Sequence, residues 1–96
     1  MHLLETATGI LSANKDVLFH KYPIKELGIF GSVARMEENT DSDIDILVEF
    51  SEPVGWEIID LASELEELLG YKVDLVSKKA VRPNLMPFVL KDIVYV

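Results

Sequence analysis

The sequence contains no cysteine. That excludes disulfides and thiolate metal sites, and it suits a reducing cytoplasm. No apolar run approaches the roughly 20 residues needed to span a bilayer. The opening Met-His-Leu-Leu-Glu-Thr lacks the basic-then-apolar layout of a secretory signal. A soluble, cytoplasmic protein without membrane contact is expected. Basic charge is scarce: nine Lys and Arg stand against 17 Asp and Glu, for a net charge of −8. Free nucleic acid is gripped mainly by cationic surface that releases phosphate counterions. With no basic stripe, free nucleic-acid binding is not expected, whereas a small phosphate ligand bridged by divalent metal is compatible with the charge. Linkers, repeats and low-complexity tracts are absent too, and 49% of the 96 residues are hydrophobic. Residues 1–96 are therefore expected to form a single domain around a modest core.

What is present is concentrated between Gly31 and Phe50. Gly31-Ser32 follows the apolar run Leu27-Gly28-Ile29-Phe30, so a strand runs into a tight turn. Ten residues separate Ser32 from Asp43, and Asp43 and Asp45 head the β-forming run Ile44-Asp45-Ile46-Leu47-Val48. Side chains two apart on a strand share a face, so the two carboxylates project side by side and repel unless a cation lies between them. Hard oxygen ligands suit Mg²⁺ or Mn²⁺, whose other positions water and phosphate can fill. Ser32 is expected to N-cap a short helical turn reaching Met36, whose free N–H groups favour an anion such as phosphate. Arg35 could reach the same anion or pair with a carboxylate. Asp74, flanked by Val73 and Leu75 in a later strand, adds a third carboxylate. Metal or base chemistry would explain it, and so would an ion pair with Lys72 or Arg35.

Around this stretch, apolar pairs at Leu3/Leu4, Ile10/Leu11 and Val17/Leu18 predict one helix over residues 3 to about 20, stopped by Pro23. Strands are expected at Ile24–Phe30, from about Asp43 to Phe50, and at Lys72–Val76. A helix over Trp56–Leu69 should turn Ile58, Ile59, Leu61, Ala62, Leu65, Leu68 and Leu69 one way into the core, with solvated acids opposite and Gly70 as its stop. Asn84–Asp92 reads as a short helix with Pro87 in its first turn, and Ile93–Val96 as a terminal strand. His2 and His20 have no partner at metal-ligand spacing and read as surface residues. Helix and strand alternate, so the class is α/β or α+β. Asp41, Asp43, Asp45 and Glu52 also fit positions of a calcium loop, but Ile46 stands where that loop needs glycine, so the calcium reading is rejected.

Gly31-Ser32, ten residues, Asp43-Ile44-Asp45 and then Asp74 resembles the nucleotidyltransferase fold of the DNA polymerase β superfamily. The phrases Gly-Ser-Val-Ala-Arg, Ser-Asp-Ile-Asp-Ile-Leu-Val-Glu-Phe and Lys-Val-Asp-Leu-Val are most similar to its minimal nucleotidyltransferase (MNT) branch, over nearly the whole chain. The resemblance implies a small mixed β-sheet flanked by helices. It implies that Gly31 and Ser32 hold nucleotide phosphates, that Asp43 and Asp45 hold two Mg²⁺ ions, and that Asp74 completes the site and helps deprotonate an attacking hydroxyl. Arg35 matches a position commonly basic in the branch. MNT proteins often act as antitoxins beside a HEPN-domain RNase toxin, which implies transfer of AMP from ATP to a tyrosine hydroxyl of that partner. The alternative is neutralisation by complex formation alone, as an oligomer or hetero-oligomer with a vestigial site. Pro87 in the last helix is a local oddity, far from the motif in sequence, and takes nothing from the catalytic pattern.

Overall fold

The computed structural model describes residues 2–96. The N-terminal apolar spacing folds as two helices rather than one, α1 (Leu3–Ala13) and α2 (Lys15–Lys21). The break is Asn14, at φ −105° and ψ 5°. Its Nδ2 donates back to the Ile10 carbonyl at 2.8 Å, a side-chain bond that competes with helix propagation. Gly9 sits inside α1 without breaking it. Tyr22 is extended, as the residue before proline should be, and ends α2.

Short apolar runs then give β1 (Ile24–Phe30) and β2 (Ile44–Phe50), joined through one helical turn, α3 (Gly31–Ala34). α4 (Glu57–Leu69) leads to β3 (Val73–Ser77), a 3₁₀ turn at Lys78–Ala80, α5 (Met86–Lys91) and β4 (Val94–Tyr95). The sheet order is β3-β2-β1-β4. β1 is antiparallel to β2 and β4, and β2 is parallel to β3, so the sheet is mixed and flanked by helices, as the resemblance implied.

One face of the sheet carries the main core. Leu27, Ile29, Ile44, Ile46 and Val48 pack there with Ala7, Leu11, Leu18, Leu61, Leu65 and Leu69 from α1, α2 and α4. Burial on this scale is the main stabilising term of the fold. Gly70 ends α4 in the left-handed conformation. Two expectations for α4 fail. Ile59 is 54% exposed, because it lies at the edge of the apolar stripe. Two of its acids are engaged rather than solvated: Glu64 receives Lys21 Nζ at 2.8 Å and the Tyr22 hydroxyl at 2.9 Å, and Glu66 accepts the Val73 N–H at 2.9 Å. His2 and His20 are on the surface.

The opposite face of the sheet displays Phe30, Asp45, Leu47 and Asp74, and the C-terminal segment covers part of it. Gly28 lies opposite Leu47, and a Cβ there would come within 2.8 Å of Ile93 and 3.1 Å of Tyr95. A side chain at position 28 would force Ile93 to shift, and Leu47 is 2% exposed. Among the described residues no helix is long and apolar enough to cross a membrane.

Candidate active site

β1 and β2 are in a register that sets Phe30 opposite Asp45, so the residue after Phe30 meets the Asp45 side chain. Gly31 has φ +73°, and a Cβ built on it would collide with the Asp45 carboxylate, Oδ2 first. Two demands therefore fall on one position. The left-handed turn favours glycine, and the carboxylate occupies the space any other side chain would need. The helical turn begins at Gly31, with Phe30 as its cap and no side-chain capping bond. Ser32 is thus inside the turn and does not cap it, contrary to expectation. The Ser32 carbonyl instead accepts the Glu37 N–H at 2.9 Å.

The loop after α3 is held at both ends. Met36 has φ 59°, turning the chain out of the helix. Glu38 Oε2 accepts the Leu3 N–H at 3.3 Å, fastening the loop to the start of α1. Hydrogen bonds from its own backbone N–H and then from Leu3 hold the Glu38 carboxyl below its ordinary range. Asn39 and Ser42 close a small turn, in which the Asn39 N–H donates to Ser42 Oγ at 3.0 Å and the Asp41 N–H to Asn39 Oδ1 at 2.9 Å. This turn delivers Asp43, which stands exposed one residue ahead of β2.

The parallel pairing of β2 and β3 sets Asp74 directly beside Asp45. Asp43, Asp45 and Asp74 therefore share one region of the open face, with Gly31 against the middle one. Asp74 is exposed, so its flanking by Val73 and Leu75 in the chain does not bury it. β3 is an edge strand, and its alternation turns Val73 and Leu75 toward the core and Asp74 away. The ion pair with Lys72 or Arg35 is not formed. Arg35 goes elsewhere: its Nε is 3.2 Å from Glu37 Oε2 and its Nη1 3.7 Å from Asp92 Oδ2.

Asp45 is half-buried, and burial is the first cause raising its carboxyl above the ordinary aspartate range. The charges of Asp74 and then Asp43 push the same way, while Arg35 pulls it down. Among the described residues no three acidic or histidine side chains are close enough to enclose a cation, so the acids form an open row and not a cage. Such a row fits Mg²⁺, which takes one or two carboxylates and leaves its other positions to water and substrate phosphate. β4 on the far side of β1 returns the C-terminal segment to this region. Leu85, Phe88 and Val89 share a groove with Phe30, Gly31 and Arg35. None of these three C-terminal residues was legible as part of the site, because no motif marks them and only the sheet order brings them near.

Residues 12–96 match the model of the family described as the nucleotidyltransferase domain. The chain is 43% identical over 97 residues to a protein of Thermococcus cleftensis named protein adenylyltransferase MntA, covering all of this chain and 98% of that one. A solved structure assigned as a minimal nucleotidyltransferase superposes with a TM-score of 0.76 at 36% identity, over 98% of this chain and 95% of the other. A solved complex of a tri-AMPylated HEPN toxin of Shewanella oneidensis with an MNT antitoxin shares the fold, with a TM-score of 0.69 at 22% identity over 93% of this chain and 70% of that one. A turn glycine seated on a strand aspartate, with a second carboxylate in register beside it, lies within the matched span. The chain belongs to the nucleotidyltransferase domain family and is a nucleotidyltransferase.

Proposed function

We propose that this chain is a protein adenylyltransferase that moves AMP from ATP to a tyrosine hydroxyl of a HEPN-domain toxin, and so acts as its antitoxin. The observation that carries the reading is the seat of Asp45, touching Gly31 on one side and paired with Asp74 on the other. A phosphate held at the Gly31-Ser32 turn is thereby brought against the carboxylates. The name of the MntA relative supports the reaction, and the antitoxin complex that shares the fold supports the kind of partner.

In this reading the Gly31 backbone and the Ser32 hydroxyl orient the triphosphate, and Arg35 exchanges its bonds to Glu37 and Asp92 for phosphate oxygens. Asp43 and Asp45 would hold Mg²⁺, one or two carboxylates to an ion, with Asp74 beside Asp45 at the end of the row. When bound, the metal supplies charge neutralisation at the phosphates. The acceptor oxygen forms a bond to the α-phosphorus, the bond from that phosphorus to the α–β bridging oxygen breaks, and pyrophosphate leaves. Asp74, exposed and free of ion pairs, takes the proton of the incoming hydroxyl and passes it to water. Most of the acceleration is positioning.

The test uses Asp74→Asn, nearly isosteric and on the sheet rim. A HEPN toxin incubated with MgATP and the wild-type chain should gain AMP-sized mass increments, and none with Asp74→Asn, while both proteins bind the toxin equally. If wild type adds nothing yet inhibits the toxin, and Asp74→Asn inhibits as well, neutralisation by binding alone replaces this proposal.

A further inference from the structure

The groove beside the phosphate turn has a wall that the site description leaves without a task. Phe88 is 73% exposed and Leu85 48% exposed, and with Val89 they face Phe30, Gly31 and Arg35 across it. Single exposed hydrophobes are ordinary on a protein surface. What distinguishes this group is continuity, since Gly31 and Arg35 line the groove and also form the turn. The wall is also fixed in place. Ile93 packs against Gly28, and β4 is paired to β1.

We infer that the base of the bound nucleotide stacks on the Phe88 ring, with Leu85 and Val89 completing an apolar slot. This rests on the nucleotide reading above and adds the residue that holds the base. With phosphates at Gly31-Ser32, the base lies about one ribose away, and the groove begins at Gly31 itself. Apart from Arg35, which the reading above turns to the phosphates, the lining side chains carry no hydrogen-bonding group. A base held this way is recognised by its ring face, so affinity follows ring size and depends little on edge substituents. Purines are preferred to pyrimidines, with little distinction between adenine and guanine.

Calorimetric titration of the full chain in Mg²⁺ tests this, using ATP, GTP, CTP and inorganic tripolyphosphate. ATP and GTP should bind within about threefold of each other and CTP more weakly. Phe88→Ala should weaken ATP about tenfold, the scale of one lost base–aromatic contact, and leave tripolyphosphate unchanged. Phe88→Trp should restore ATP affinity. Trp56→Ala, at a side chain 80% exposed elsewhere on the surface, should change neither. ATP binding by Phe88→Ala within twofold of wild type, with normal tripolyphosphate binding, overturns the stacking role and leaves the phosphate turn standing. The same result with a wild type that sediments as a dimer and a Phe88→Ala that sediments as a monomer assigns the groove to a second copy of the chain. A wild type that binds neither ATP nor tripolyphosphate overturns the turn and the stacking role together.

Discussion

Two carboxylates in this molecule are treated in opposite ways. Glu64, in the helical layer, receives the Lys21 ammonium and the Tyr22 hydroxyl. These donors, Lys21 first, hold its carboxyl below the ordinary glutamate range against the effect of burial. Asp45, on the open face, is pressed against Gly31 and crowded by Asp74 and Asp43, and its carboxyl is raised. Glu64 has its counter-charge inside the chain. Asp45 has only the pull of Arg35 to set against burial and the charges of Asp74 and Asp43. The difference separates a carboxylate that stabilises the fold from one that the fold stabilises at a cost, and perturbation of the second kind is what functional sites accumulate.

The largest effect that can break this comparison is on activity. Asp45→Asn should reduce nucleotide transfer at least about hundredfold, the scale on which a group that meets transition-state charge is missed, measured by mass of the acceptor. It should also raise the melting temperature of the ligand-free protein, because it removes a half-buried charge from a row of like charges. Glu64→Gln should do the reverse, keeping transfer and lowering the melting temperature. A destabilised Asp45→Asn would mean that Asp45 is held by bonds and not crowded.

Next in size is the contact between the turn and that carboxylate. Gly31→Ala meets both the left-handed φ and the Asp45 side chain, and backbone strain of this type costs on the order of 1–3 kcal/mol. Denaturant unfolding of Gly31→Ala, Asp45→Ala and the pair would separate the two causes. The double variant should recover part of the loss, since the collision is relieved and the φ strain is not. Strict additivity would show that the two residues do not touch.

The two acids also give stability opposite slopes with pH. A lowered carboxyl stabilises above its unfolded range, and that contribution is lost as pH falls through the folded value. A raised one is the reverse, its contribution being full at acid pH and lost as pH rises through the folded value. Melting temperature against pH should therefore lose part of its acid-side decline in Glu64→Gln. Asp45→Asn should lose part of the decline that sets in just above the ordinary aspartate range. Identical profiles for both variants would erase the distinction.

The strands and their ends were largely readable because short apolar, β-forming runs at Ile24–Phe30 and Ile44–Phe50, bounded by polar stretches, are a local signal. So was the core stripe of α4, apart from Ile59. The break at Asn14 was not, since the apolar spacing continues through it and the cause is one amide reaching back to Ile10. The aspartates were legible as a set, but not their exposures. A strand's alternation says which residues share a face, and only the sheet order says which strand is the edge. The same order explains why α5 looked remote from the motif. β4 pairs beside β1, a non-local contact that returns Phe88 and Arg35's partner Asp92 to the Gly31 turn.

The smallest expected effect concerns Tyr22, the hydroxyl that helps satisfy Glu64. Tyr22 is buried, and burial first, then its bond to Glu64, pushes its phenol up to about 12. Tyr22→Phe removes one hydrogen bond of roughly 1 kcal/mol, which should lower the melting temperature at neutral pH by a few degrees. The alkaline side should move the other way. In wild type the unfolded phenol ionises near pH 10 while the folded one holds its proton. Stability is thus intact below that value and is lost progressively as pH rises toward the folded one. Phenylalanine has no proton to lose, so the variant should fall less steeply over that interval and the two curves should converge. Ultraviolet titration of the phenolates in wild type and Tyr22→Phe would assign the late-ionising group. Parallel curves across the alkaline range would mean that Tyr22 titrates as an ordinary surface tyrosine, and that Lys21 alone accounts for the lowered Glu64.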